Sequence, residues 1–214
     1  SDYGQKIAFQ IAEEIAKCGG VVVSGLAFGI DATAHFGAVN NQKATVAVLA
    51  SGLAQIGPAN NRNIAEKILK FGGSIVSEYP PHHPAYPSRF LERNRIISGL
   101  CKATIVIEAG LISGALSTAR HAVNQNRDVY ALPGDITRPQ ALGCVRHSST
   151  LSGRRTPSRQ NLRGRHAGAL LRRFCLDGRR GLEHLPVGGT VGLVVPAATG
   201  ARGGFDPERK NGGC

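Results

Sequence analysis

The chain has 214 residues, enough for one domain with a real core and an appendage. Hydrophobic residues make up 42% and charged residues 19%, and no apolar run approaches a membrane span, so a soluble globular class is expected. The net charge of +12 invites a nucleic-acid partner, but it is unevenly placed. Residues 1–144 hold 13 Lys+Arg against 10 Asp+Glu, whereas residues 145–214 hold 13 against 4. The amphipathic N-terminus, with Glu13 and Glu14, does not read as a signal peptide. The five cysteines are scattered and form no C-x-x-C pair, so neither a disulfide framework nor a zinc site is expected, and a reducing cytoplasm fits best.

In chain order, Ile7, Ile11 and Ile15 recur every four residues and predict a helix with one apolar face, stopped by Gly19-Gly20. Five short Val/Ile-rich runs follow, at Val21–Ser24, Thr45–Ala50, Ser74–Ser77, Thr104–Ile107 and Val129–Leu132. They are continuous rather than alternating, as strands buried on both faces are. Helical patterns at Asp31–Val39, Asn61–Phe71, Leu91–Cys101 and Ser113–Asn126 lie between them, with Asn60 and Ser113 as expected N-caps. Helices between buried strands imply right-handed crossovers, hence an α/β class with a doubly wound, mainly parallel sheet. Ligands of such sheets bind beyond the carboxyl ends of the strands.

The alternation ends after Cys144. Residues 1–144 form the expected domain, and residues 145–214 an irregular Arg/Gly-rich basic tail with 12 Arg and no Ile. That tail reads as disordered or translated out of frame; the other reading is a disordered basic arm that binds nucleic acid. One weak helix, HAGALLRRFCL, and one strand, TVGLVV, stand out within it.

Three stretches carry chemistry. In VVVSGLAFGIDATAH, a strand ending at Ser24 leads through Gly25, Phe28 and Gly29 into a helix. Glycines let backbone N–H groups approach a phosphate, and the helix N-terminus adds partial positive charge. Asp31 would repel an anion unless it caps its own helix. Neither the dinucleotide fingerprint nor the P-loop is present, so no cofactor is expected. In SEYPPHHPAYPSRFLERNRIISGL, Arg89, Arg93 and Arg95 surround one helix start beside Asn94. Guanidinium groups there suit phosphate, although a solvated face paired with Glu92 has the same look. The adjacent His82 and His83 read as loop residues rather than metal ligands. In IEAGLISGALSTARHA, Ser113, Gly114, Ser117 and Thr118 place hydroxyls and amides at a helix start, beside the strand-end Glu108. Glu108 either orients an arginine or faces water.

Together with TVAVLASGL (45–53), SEYPP (77–81), RNRIISGLC (93–101), VIEAG (106–110), SGALSTA (113–119) and ALPGDI (131–136), the stretch SGLAFGIDATAH (24–35) resembles the DprA/Smf family of DNA-processing proteins. The likeness covers about residues 1–144. It implies a Rossmann-like domain that binds single-stranded DNA, protects strands and assists loading of a RecA-type recombinase in transformation and recombination. It also implies a homodimer and no catalytic chemistry. The residues expected to bind DNA or its phosphates are Ser24, Gly25, Phe28, Gly29, Arg89, Arg93, Asn94, Arg95, Ser113, Gly114 and Thr118. Two positions depart from the family: Ile112 and Phe28 stand where basic residues are common. Phe28 either stacks on a base or folds onto the sheet edge. Family members carry a strand before SDYG, so the sheet is expected to lack its first member. An enzymatic alternative is a LOG-like nucleotide phosphoribohydrolase using Arg95 and Glu108 on a nucleoside monophosphate, but its P-G-G-x-G-T-x-x-E motif is not found.

Overall fold

The computed structural model describes residues 1–134, 137–144 and 190–194. Helix α1 (Asp2–Lys17) opens with the Ser1 hydroxyl accepting from Gly4 N–H, and carries Asp2 in its first turn and Lys17 in its last. These charges complement the helix dipole. Ile11 and Ile15 are buried and Ile7 packs beside them, so the four-residue spacing does mark the inward face. The chain then alternates: β1 (Val21–Ser24), α2 (Ile30–Asn40), β2 (Thr45–Leu49), α3 (Arg62–Lys70), β3 (Ser74–Ser77), α4 (Pro87–Gly99), β4 (Ala103–Val106), α5 (Gly114–Asn124) and β5 (Asp128–Ala131). A further strand, β6, spans Thr190–Val194.

All six strands are parallel, in the order β3-β2-β1-β6-β4-β5. Neighbouring residues on a buried strand serve opposite faces. Val22 and Ile105 join α1 and α2, whereas Val23, Val48 and Val106 join the layer of α4 and α5. A third cluster packs Ala47 and Leu49 against Ala65 and Ile68 of α3. The chain builds outward from β1 to β3, then crosses to β4 and β5. The switch point therefore lies between β1 and β4, where a doubly wound sheet opens a crevice at its carboxyl edge.

The expected elements are present within a few residues, with three differences. Helix α4 begins at Pro87, four residues before the expected Leu91, because proline at N1 lacks only an N–H the helix would leave unpaired. Asn60 lies in a 3₁₀ turn (Ala59–Asn61) that leads into α3, so it is not the cap. The sheet does not lack a member between β1 and β4, because β6 pairs with both. Facing strand edges expose unpaired N–H and C=O groups, and TVGLV is a Val-rich run able to satisfy them. The expected helix HAGALLRRFCL and the rest of the tail lie outside the described residues.

Candidate nucleic-acid interface

The loop after β1 is the most constrained part of the carboxyl edge. Gly29 caps α2 with φ 85° and ψ −122°, a region open to glycine alone. Asp31 is therefore inside the helix and is not its N-cap, so that way of offsetting its charge is not the one used. Its Oδ2 instead accepts from Gly25 N–H (3.0 Å) and Ala27 N–H (3.2 Å). A buried carboxylate thus occupies the amides that glycine would otherwise offer to a phosphate. Asn61 Nδ2 adds bonds to the carbonyls of Leu26 (2.9 Å) and Ala27 (3.3 Å).

Arg93 completes this interior. It is 3% exposed, and its Nη1 donates to Gly25 C=O at 2.9 Å and also to Val48 C=O. A Cβ at residue 25 would fall 2.5 Å from both terminal guanidinium nitrogens, so any larger residue there must displace the Arg93 side chain. Burial raises the Asp31 carboxyl above its ordinary value, with the Arg93 charge as the chief opposing influence. Burial likewise lowers Arg93, and Asp31 opposes it.

His35, fully buried on α2, faces the same region. Its Nδ1 lies 2.8 Å from Thr45 Oγ1, and that hydroxyl already donates to Val22 C=O at 2.7 Å. The threonine proton is committed, so His35 Nδ1–H is the donor. Burial, aided by Arg93, lowers its pKa to about 3, and the ring stays neutral.

The loop after β4 is built differently. Ser113 caps α5, its hydroxyl accepting from Ala115 N–H at 3.2 Å. Asn94 Nδ2 (3.2 Å) and Thr118 Oγ1 (3.5 Å) both donate to Gly114 C=O. Thr118 is fully buried and Asn94 nearly so; the Asn94 bond ties α4 to α5, whereas the Thr118 bond stays within α5. Ser113, Gly114 and Ser117 remain partly exposed, and no carboxylate hydrogen-bonds to the described start of α5. Leu111 and Ile112 precede the cap; Ile112, at 93%, is almost wholly in solvent. Glu108 neither faces water nor orients an arginine. It is 9% exposed, lies against the start of α1, and accepts from the Ser1 hydroxyl.

The third arginine-bearing segment is at the rim. Arg89 lies between the rings of Tyr79 (4.8 Å) and Tyr86 (4.7 Å) and donates to Pro84 C=O. Arg95 forms an exposed ion pair with Glu78. Arg95 and Glu108 thus have separate partners, and nothing joins them as a catalytic pair. Burial pushes the Cys101 thiol up to about 12 and Cys144 to about 11, so neither is a ready nucleophile. Among the described residues no group of three or more side chains is placed to hold a metal.

The residues named from sequence therefore separate into two groups. Ser24, Gly25, Arg93, Asn94 and Thr118 are interior and support the loops. Phe28 (53% exposed), Gly29, Arg89, Arg95, Ser113 and Gly114 reach the surface. Sequence reasoning named Ile112 only as a departure from the family, and it did not single out its exposed neighbour Leu111 or the two tyrosines around Arg89. Their signals were an apolar pair before an N-cap and aromatics interleaved with arginine.

The sequence pattern of the family described as DNA recombination-mediator protein A matches residues 1–152. The chain belongs to that family. Protein Smf of Escherichia coli, a member of the same group, is 44% identical over 141 residues, covering 66% of this chain and 38% of its own length. The chain thus spans well under half of that relative. DNA processing protein A from Streptococcus pneumoniae has a similar structure, with a TM-score of 0.64 and 36% identity over 70% of this chain and 52% of the other. So does DNA processing protein A from Helicobacter pylori, described for its single-stranded DNA binding mode. Its TM-score is 0.67 at 25% identity, covering 85% of this chain and 76% of the other.

Proposed function

We propose that this recombination-mediator domain binds single-stranded DNA along the carboxyl edge of its sheet, without sequence preference and without catalysis. The observation that carries the reading is the pairing of two solvent-facing features across the switch point. Phe28 is presented after β1, and the partly exposed N-terminus of α5 after β4. A helix N-terminus favours a phosphate, and an aromatic ring stacks on any base. The likeness to the Helicobacter pylori protein, whose single-stranded DNA binding is described, supports the same ligand class. In this reading Ser113 and Gly114 meet the backbone, Phe28 stacks, and Arg89 and Arg95 supply positive charge at the rim. The domain acts in the cytoplasm, protects strands and, as a homodimer, helps load a RecA-type recombinase.

The test is fluorescence anisotropy of labelled oligo-dT with the full chain across a salt series, with duplex as competitor. The expected result is single-strand preference and a log–log salt slope of roughly −0.7 per phosphate neutralised. Binding that is flat in salt, or equal for duplex, overturns the reading.

A further inference from the structure

We propose that Arg93 and Asp31 are positioning residues, a buried clamp that fixes the Gly25–Gly29 loop from inside, and that neither touches DNA. The proposal rests on the interface described above. Gly25 is held at both of its backbone polar groups. Its N–H is bound by Asp31 Oδ2 at 3.0 Å, and its C=O by Arg93 Nη1 at 2.9 Å. The same Arg93 nitrogen reaches Val48 C=O, so α4, the end of β2 and the loop after β1 are fastened at one point. Asp31 adds Ala27 N–H at 3.2 Å, one residue before Phe28. Both side chains are nearly sealed from solvent, at 3% and 4% exposure. A side chain that binds phosphate must reach solvent, and these two are buried with their bonds spent on backbone groups.

The arrangement explains the residue types. A guanidinium spreads its charge over several fixed donors and can serve two carbonyls at once, whereas an ammonium on a flexible stem cannot hold that geometry. Asp31 and Arg93 hold the same residue, one at the N–H and the other at the C=O of Gly25, so the clamp works as a unit. Phe28 and Gly29 follow Gly25 by three and four residues, and their place at the surface depends on where Gly25 is held.

Salt dependence separates a clamp from a contact. Removing a phosphate contact makes the log–log slope shallower by roughly 0.7, whereas loosening a loop lowers affinity at unchanged slope. The experiment compares the full chain with Arg93→Gln, Asp31→Asn and the rim variant Arg89→Gln, using labelled oligo-dT across a salt series. Hydrogen exchange at the Gly25 and Ala27 amides is measured in the same proteins without DNA. Asp31→Asn is nearly isosteric and guards against a failure of Arg93→Gln to fold. The clamp predicts roughly tenfold weaker binding on parallel salt lines for both interior variants, with faster exchange at both amides. A shallower slope in Arg93→Gln overturns it. So does tighter binding by Asp31→Asn, which is what relief of repulsion in a direct anion site would give. Unchanged exchange at both amides overturns it whatever the DNA result. A wild-type chain without single-strand preference refutes the DNA interface alone, since the exchange readout still decides the clamp.

Discussion

The loops after β1 and β4 both run from a buried strand into a helix start, and each carries a Ser-Gly pair, Ser24-Gly25 at the strand end in one and Ser113-Gly114 at the helix cap in the other. One is closed by its own carboxylate and the other is not. Asp31 occupies two amides of the first loop. The start of α5 has only the neutral Ser113 cap. A strand–glycine–helix signature therefore indicates where an anion is stabilised, without saying whether that anion is a ligand or part of the protein. Here an internally satisfied loop that presents Phe28 lies on one side of the switch point, and a helix end with no carboxylate bound to it lies on the other.

The largest expected effect tests how closed the first loop is. The unfolded chain protonates His35 near pH 6.5, but the folded chain keeps it neutral to about pH 3. Between these values the unfolded state binds more protons, so stability is lost as pH falls. The slope from this group is about 1.4 kcal/mol per pH unit. Asp31 works the other way. Its carboxyl is raised, so its contribution falls as pH rises through the carboxylate range. Urea unfolding across pH is expected to show the acid-side slope in the wild type and not in His35→Asn. Next in size is Gly25→Ala, whose methyl meets the Arg93 guanidinium. It is expected to cost about 1–3 kcal/mol, read as a lower melting temperature. The corresponding Gly114→Ala, at the open helix start, is expected to leave the melting temperature nearly unchanged.

Binding variants sharpen the other side of the comparison. Phe28→Ala removes the stacking ring without touching the core and is expected to weaken oligo-dT binding by about 1–3 kcal/mol at constant salt slope. Ile112→Lys is the smallest effect. Adding a cation at this exposed position beside the α5 start is expected to tighten binding and steepen the slope by roughly 0.7.

Most of the fold was legible because continuous Val/Ile runs and four-residue helical spacing reflect burial directly. The site was less so. Three arginines around one helix start look equivalent by residue type, yet α4 buries Arg93, Asn94, Ile97 and Ser98. The usable clue was Ile97, four residues after Arg93 and on the same face. Arg95 points off that stripe and remains exposed, while Arg89 shares its side but sits on the first turn among tyrosines. Asp31's role was hidden because a carboxylate near a helix start caps the helix more often than the loop before it. The strand in the sheet's central slot was hidden by distance. Nothing local to TVGLV names β1 and β4 as partners, and pairing across so long a separation leaves no periodic trace.

The most direct test of the central claim uses Ile112→Glu in the full chain. That substitution places a carboxylate at the open helix start, at a position with almost no packing to lose. Anisotropy of labelled oligo-dT, with and without competing duplex, is predicted to show more than roughly tenfold weaker binding and loss of single-strand preference. Unchanged affinity, with duplex competing equally in both proteins, would contradict the account and assign the binding to the basic residues beyond Cys144.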